Sequence, residues 1–258
     1  MAFYPSTDKG IVTDAPVRRR VGHEIELSGD PALARWLTES GLAPPSLYES
    51  EHPEWMDDED FIHDDCHNLD CEADDFPIHV TEDGTASAGE YHIGGKVGVL
   101  YGSPAYYEAV DILCREAPRY DVTARDDDVG GHIHVSVASW ETGQRAMQLA
   151  CQYAEELEVL AQGDLGYMRC NEYMDGIHSP AGMRSNQHYS TVEFRFWNST
   201  LNPELIVMGG GISVGLIEAA SRGRTPRGEL LDLIGPYITD RVRSTASNLL
   251  AGELPVAA

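Results

Sequence analysis

The feature that most constrains this chain is the run Gly131-His132-Ile133-His134-Val135-Ser136-Val137. At the two-residue period of a strand, His132, His134 and Ser136 share one face, and Ile133, Val135 and Val137 share the other. The apolar face is suited to packing on helices, and the opposite face to lining a polar cavity. Two imidazoles side by side can hold a metal, a phosphate or a reacting proton. Two other segments repeat the pattern with acids. Val21-Gly22-His23-Glu24-Ile25-Glu26-Leu27 puts Glu24 and Glu26 on one face and turns His23 away from both. Thr191-Val192-Glu193-Phe194-Arg195-Phe196-Trp197 puts Glu193 and Arg195 on one face, with Val192, Phe194 and Phe196 on the other. Three strands carrying convergent carboxylates, imidazoles and a guanidinium read as one site.

A chain of 258 residues, 42% hydrophobic, is long and apolar enough for a sizeable core, which excludes global disorder. The formal net charge of −25 argues against duplex nucleic acid as a partner, since binding it needs a basic face. The only lysines are Lys9 and Lys96. A nucleotide site would therefore have to overcome the negative field locally, with metal ions or arginines. There are five cysteines, an odd number, which fits a reduced cytosolic protein. No apolar run is expected to approach membrane-spanning length, and the N-terminus lacks a signal-peptide core. The expectation is a soluble, cytoplasmic protein with no membrane partner.

Residues 1–19 read as a flexible arm. Residues 20–225 hold the regular elements, and 226–258 form a helical extension with one or two shorter helices. Strands are expected over about 20–27, 76–81, 89–94, 131–137 and 191–197, with one more within 164–190. Helices are expected after Asp30-Pro31, after Ser103-Pro104 with Tyr107, Val110, Leu113 and Cys114 inward, over about 142–161, and after Asn202-Pro203 over about 203–222. Gly209-Gly210-Gly211 inside the last helix costs stability, of order 1 kcal/mol per glycine, and so points to close approach of a neighbour. Residues 43–75 break the pattern as an acidic insertion, read as a solvated loop. A zinc cluster of His63, Cys66, His67 and Cys71 is a minor reading, because the spacing fits no common structural-zinc pattern. The order strand, helix, strand, strand, helix occurs twice. It suggests an α+β fold with a curved, mostly antiparallel sheet and helices on one face.

Gly22-His23-Glu24-Ile25-Glu26 looks like a GxExE strand. Asp83-Gly84-Thr85 with Gly89-Glu90, then Gly131-His132-Ile133-His134, then Thr191-Val192-Glu193-Phe194-Arg195 follow it in order. The set resembles the amidoligases, a carboxylate–amine ligase group related to glutamine synthetase and glutamate–cysteine ligase. The resemblance covers about 20–222. It implies a glutamine-synthetase-like core of two β-α-β-β-α units and an ATP-dependent reaction through an acyl phosphate. The partners would be an amino acid or peptide carboxylate and an amine or ammonia. It also implies magnesium, or manganese in its place, bridging the phosphates. By similarity, Glu26 and Glu90 would hold one metal, with Glu82 or Asp83 completing its shell. Glu24, His132 and Glu193 would hold another. His134 would lie near the nucleotide, Arg195 would neutralise the transferring phosphoryl group, and Arg184 is a further phosphate-binding candidate. Thr85 stands where the family often has serine.

Two other functions stay open at this level. A metal-dependent hydrolase would use His132 and His134 as ligands and a glutamate as base, but it leaves Arg195 without a task. A non-catalytic binding protein would keep the fold without the chemistry. The chain has no Walker-type glycine loop, so an ATP site here has to be of the metal-and-carboxylate kind.

Overall fold

Alternating apolar and polar residues make the strands, and their register builds one sheet. The computed structural model describes residues 10–43, 77–81, 88–94, 98–124, 130–162, 181–185 and 190–253. The strands are β1 (Arg20–Leu27), β2 (Ile78–Thr81), β3 (Gly89–Ile93), β4 (Val99–Leu100), β5 (Gly130–Ser136), β6 (Ala181–Ser185) and β7 (Ser190–Asn198). Their order is β2-β3-β1-β5-β7-β6, with β4 on β1, and every pairing is antiparallel. The helices are α1 (Ala32–Glu39), α2 (Pro104–Glu116), α3 (Trp140–Gln152), α4 (Ala154–Ala161), α5 (Pro203–Ser221), α6 (Leu230–Ile234) and α7 (Asp240–Leu250). The fold is thus α+β with an antiparallel sheet. The order strand, helix, two strands, helix is present twice, with β4 added to the first half and the helix of the second half divided into α3 and α4. The halves meet at β1 and β5, and each then runs outward through its third strand to its second: β3 and β2 on one side, β7 and β6 on the other.

One face of the sheet is sealed. Val21, Ile25, Tyr91, Ile93, Ile133, Val135, Val192 and Phe194 are buried in one core with the helices. The central element of that core is α5, capped by Asn202, whose side chain accepts the Glu204 N–H at 3.0 Å. Residues Leu205–Ala220 of α5 are all buried. The expectation about apolar runs is corrected here. This helix has the length and composition to cross a membrane, and 89% of its apolar window is buried inside the fold. Its glycines make room for neighbours. A Cβ on Gly209 would stand 3.0 Å from Ile133 Cδ1, and one on Gly210 would stand 2.8 Å from the Tyr106 hydroxyl.

Other expectations shift in detail. The single helix expected over 142–161 is two, divided where Tyr153 leaves helical geometry at φ −108°, ψ 24°. Its hydroxyl accepts the Arg227 N–H at 3.2 Å. In α2 the buried stripe is carried by Tyr106, Ala109, Val110, Ile112 and Leu113, with Tyr107 and Cys114 only partly buried at its margin. Residues 10–19, expected as part of a loose arm, lie against the fold. Ala15 joins the core, Asp14 accepts the Tyr107 hydroxyl, and Arg19 pairs with Glu218 of α5. Of the insertion expected over 43–75, all but residue 43 falls outside the described residues, as do Glu82, Asp83 and Thr85.

Candidate functional site

Register decides which side chains meet on the open face. On β1, Glu24 pairs with His92 of β3 on one side and with His132 of β5 on the other, and Glu26 pairs with Glu90. On β5, His134 pairs with Glu193 of β7. Directly opposed residues on antiparallel strands point to the same side. Glu24, Glu26, Glu90, His92, His132, His134 and Glu193 therefore share the face opposite the helix-packed core. Buried His23 points the other way, with Nε2 3.1 Å from the Tyr106 hydroxyl.

The ladder between β5 and β7 is irregular at one point. Gly131 pairs with Trp197 and Ile133 with Phe194, so His132 alone faces two residues, Arg195 and Phe196. A bulge of this kind re-aims side chains and is common beside functional sites. Strict alternation would put Trp197 on the face of Glu193 and Arg195. The bulge instead returns it to the helix side, where its indole N–H donates to Ser213 Oγ of α5 at 3.1 Å. Arg195 NH1 donates to Glu193 Oε1 at 2.9 Å and keeps about a quarter of its side chain exposed.

Glu24 is the hub. His132 Nδ1 lies 3.1 Å from its Oε2, and His134 Nε2 lies 3.0 Å from its Oε1. Burial alone would raise the Glu24 carboxyl, but the hydrogen bond to His132 and the His134 imidazole overturn that and hold it well below the usual carboxylate range. Burial would likewise lower His132, yet its hydrogen bond to Glu24 and that carboxylate's charge raise it. His23, buried and near His134, is pushed down to about 3. Glu193 Oε1 lies 3.7 Å from His132 Nδ1 and 3.8 Å from His134 Nε2.

Among the described residues, two sets of three ligand atoms lie within 4.8 Å of one another: Glu24, Glu90 and His92, and Glu24, His134 and Glu193. Carboxylate and imidazole donors suit a divalent cation. His134 Nε2 is buried and receives no hydrogen bond of acceptable direction among the described residues, although Glu24 is 3.0 Å away. A cation between them would satisfy both. The donors present thus fit a metal.

Glu24, Glu90, His132, His134, Glu193 and Arg195 are brought together. Glu26 lies on the same face, but its Oε2 accepts the Gly130 N–H at 2.7 Å, and it belongs to neither set of three. Arg184 is on β6, opposite Thr191 of β7 in the register. Asp83 lies outside the described residues. Three residues escaped the sequence reading: His92, Thr81 and Thr191. Thr81 Oγ1 is 2.9 Å from His92 Nε2, and Thr191 Oγ1 is 3.2 Å from His134 Nδ1. The signal for His92 was its spacing of two from Glu90 on one strand. Compared with models of known families and with curated proteins, the sequence matches none.

Proposed function

We propose that this chain is an ATP- and divalent-metal-dependent carboxylate–amine ligase. It would activate the carboxylate of an amino acid or peptide as an acyl phosphate and transfer the acyl group to an amine or ammonia. The observation that carries the reading is the convergence of Glu24, Glu193, His134 and Arg195 on one open sheet face, with Glu24 shared by both sets of ligand atoms. The order of the motifs and the twice-repeated element order support a glutamine-synthetase-like core.

In this reading, Glu24 and Glu193 with His134, and Glu24 and Glu90 with His92, hold divalent cations, whose contribution is to neutralise phosphate charge and orient the phosphoryl group. Arg195 places a fixed cation beside them. A guanidinium cannot ligate a metal, and its planar fork fits phosphate oxygens. Its pairing with Glu193 holds it at the site before the anion arrives. The substrate carboxylate oxygen attacks the γ-phosphorus of ATP, and the bond to the β-phosphate oxygen breaks and releases ADP. The amine nitrogen then attacks the acyl carbon, phosphate leaves, and the amine gives up a proton. A hydrolase built on the same histidines would run without ATP and would leave Arg195 idle.

The test is metal-dependent ADP release across a panel of amino acids and short peptides, with ammonia or hydroxylamine as acceptor. ADP formed only with both a carboxylate and an acceptor supports the ligase. Removing one such charge-stabilising contact costs several kcal/mol of barrier, so Arg195→Ala should lose at least about a hundredfold in rate while melting normally. A wild-type rate in that variant would remove Arg195 from the chemistry. Hydrolysis of the same substrates without nucleotide would replace the ligase reading with the hydrolase.

A further inference from the structure

We propose that Gly130, at the start of β5, keeps open a small hollow beside Glu26 and His132 that receives an amine or ammonium nitrogen of a substrate. This rests on the reading of the face as a ligase site. β5 begins with two successive glycines, and the two differ in what they allow. At Gly131 a Cβ would stand 3.0 Å from the Asn198 carbonyl oxygen and 3.2 Å from that of Trp197. The close passage of β7 excludes a side chain there. At Gly130 nothing does. Its φ lies outside the left-handed region. A Cβ there would meet no atom nearer than 3.7 Å, an ordinary contact. Glycine weakens a strand, through backbone entropy and the lack of a side chain to pack, and its presence in one often marks the close approach of a ligand.

The neighbours of the missing side chain define the hollow. Gly22 of β1 also has room for a Cβ, but the nearest atoms there are His134 Cβ and the Ile93 carbonyl oxygen, both at 3.9 Å. At Gly130 the three nearest are Glu26 Oε2 at 3.7 Å, Glu26 Oε1 at 3.8 Å and His132 Nε2 at 3.8 Å. Side chains from two neighbouring strands thus turn polar ends to the space that a methyl group would fill. Both are fixed in place. The buried Glu26 accepts the Gly130 N–H at Oε2, 2.7 Å away, and His132 Nδ1 lies 3.1 Å from Glu24 Oε2, which directs its Nε2 edge towards Gly130.

A carboxylate only accepts hydrogen bonds, and each of its oxygens can accept more than one. A hollow bordered by both Glu26 oxygens therefore favours a group that donates hydrogen bonds and carries positive charge, and it repels an anion. The strand order β1-β5-β7 sets His132 between Glu26 and Arg195. The face then offers a carboxylate for a nitrogen on one side of His132 and a guanidinium for phosphate oxygens on the other. In a ligation the nitrogen has two sources: the acceptor amine, or the ammonium group of the amino acid whose carboxylate is activated.

The test uses the full chain in magnesium buffer, isotopically labelled for amide NMR, with the Gly130 N–H beside Glu26 as reporter. Methylammonium chloride should move that resonance to a plateau, and methanol or sodium chloride at the same concentration should not. Gly130→Ala fills the hollow. It should melt like wild type and bind methylammonium at least about tenfold more weakly, read at the neighbouring amides. In the ADP-release assay the same variant should raise KM about tenfold for the acceptor amine, or for the amino acid if its ammonium group is the occupant, and leave KM for ATP unchanged. The absence of a plateau in wild type, or equal methylammonium affinity in the two proteins, would overturn the hollow as a nitrogen site. Unchanged KM for both acceptor and amino acid would overturn its part in the reaction. Absence of ADP release from wild type with every substrate would instead overturn the ligase reading, and the resonance would still decide whether the hollow takes a nitrogen.

Discussion

His23 is a buried imidazole that the fold keeps neutral. Burial, and after it the charge of His134, lowers its pKa from 6.5 to about 3. It sits between β1 and α5, beside the Tyr106 hydroxyl, where a charged ring would have no solvent. The unfolded chain takes up a proton at His23 below pH 6.5, and the folded chain does not until about pH 3. Acid therefore favours the unfolded state across that window. The linkage is about 1.4 kcal/mol per pH unit, or about 2 kcal/mol already lost at about pH 5 and about 5 kcal/mol by the bottom of the window. His23→Gln removes the titration and keeps a polar side chain of similar reach. Urea unfolding of both proteins in chelator, at about pH 7.5 and about pH 5, isolates the effect as a difference of differences. Whatever the substitution costs at neutral pH, the variant's deficit should shrink by about 2 kcal/mol at the lower pH. A deficit that stays constant between the two would falsify the neutral, buried His23.

Two further predictions concern the core behind the site. Gly210→Ala should destabilise, because the new Cβ would meet the Tyr106 hydroxyl at 2.8 Å and His23 Nε2 at 2.9 Å. Overpacking of about 1–3 kcal/mol then outweighs the roughly 1 kcal/mol that alanine contributes to helix propensity, and a rise in melting temperature would refute the close fit. Glu218→Gln should cost about 1–3 kcal/mol by leaving the half-buried Arg19 guanidinium without its charge partner. Denaturant unfolding at neutral pH measures this, and a change under about 1 kcal/mol would show that the pair is effectively solvated.

Parity made most of the face legible. Glu24, His132, His134 and Glu193 each sit in a strand long enough to alternate clearly, so their common side could be read before their neighbours were known. Asn202, Ser103 and the glycines of α5 were equally local signals. His92 was harder, because Gly89–Ile93 is a five-residue strand and its place beside β1 depends on pairing with residues far away in the chain. The threonines behind the histidines were invisible for the same reason: neither touches its partner within one element. The bulge at Arg195–Phe196 is a property of the β5–β7 pair, so alternation alone would put Trp197 on the wrong side. The break at Tyr153 coincides with a contact to Arg227, 74 residues away. Glu26 shares its face with Glu24, but a backbone N–H from β5 occupies one of its oxygens, a partner no strand pattern could name.

The seam between β1 and β5 has a consequence in time. The contact between Glu24 and His132 joins residues 108 apart, across the line where the two halves meet. Closing so long a loop is entropically costly, and pairings of this kind slow folding. Each half can gather its own helices and outer strands from nearer contacts, while Glu24 and Glu193 lie on opposite halves until the seam forms. The approach of Glu193 to Glu24 is thus deferred until the seam forms. A cation that needs ligands from both halves would then bind only a chain whose seam has closed, and its arrival would mark completed folding.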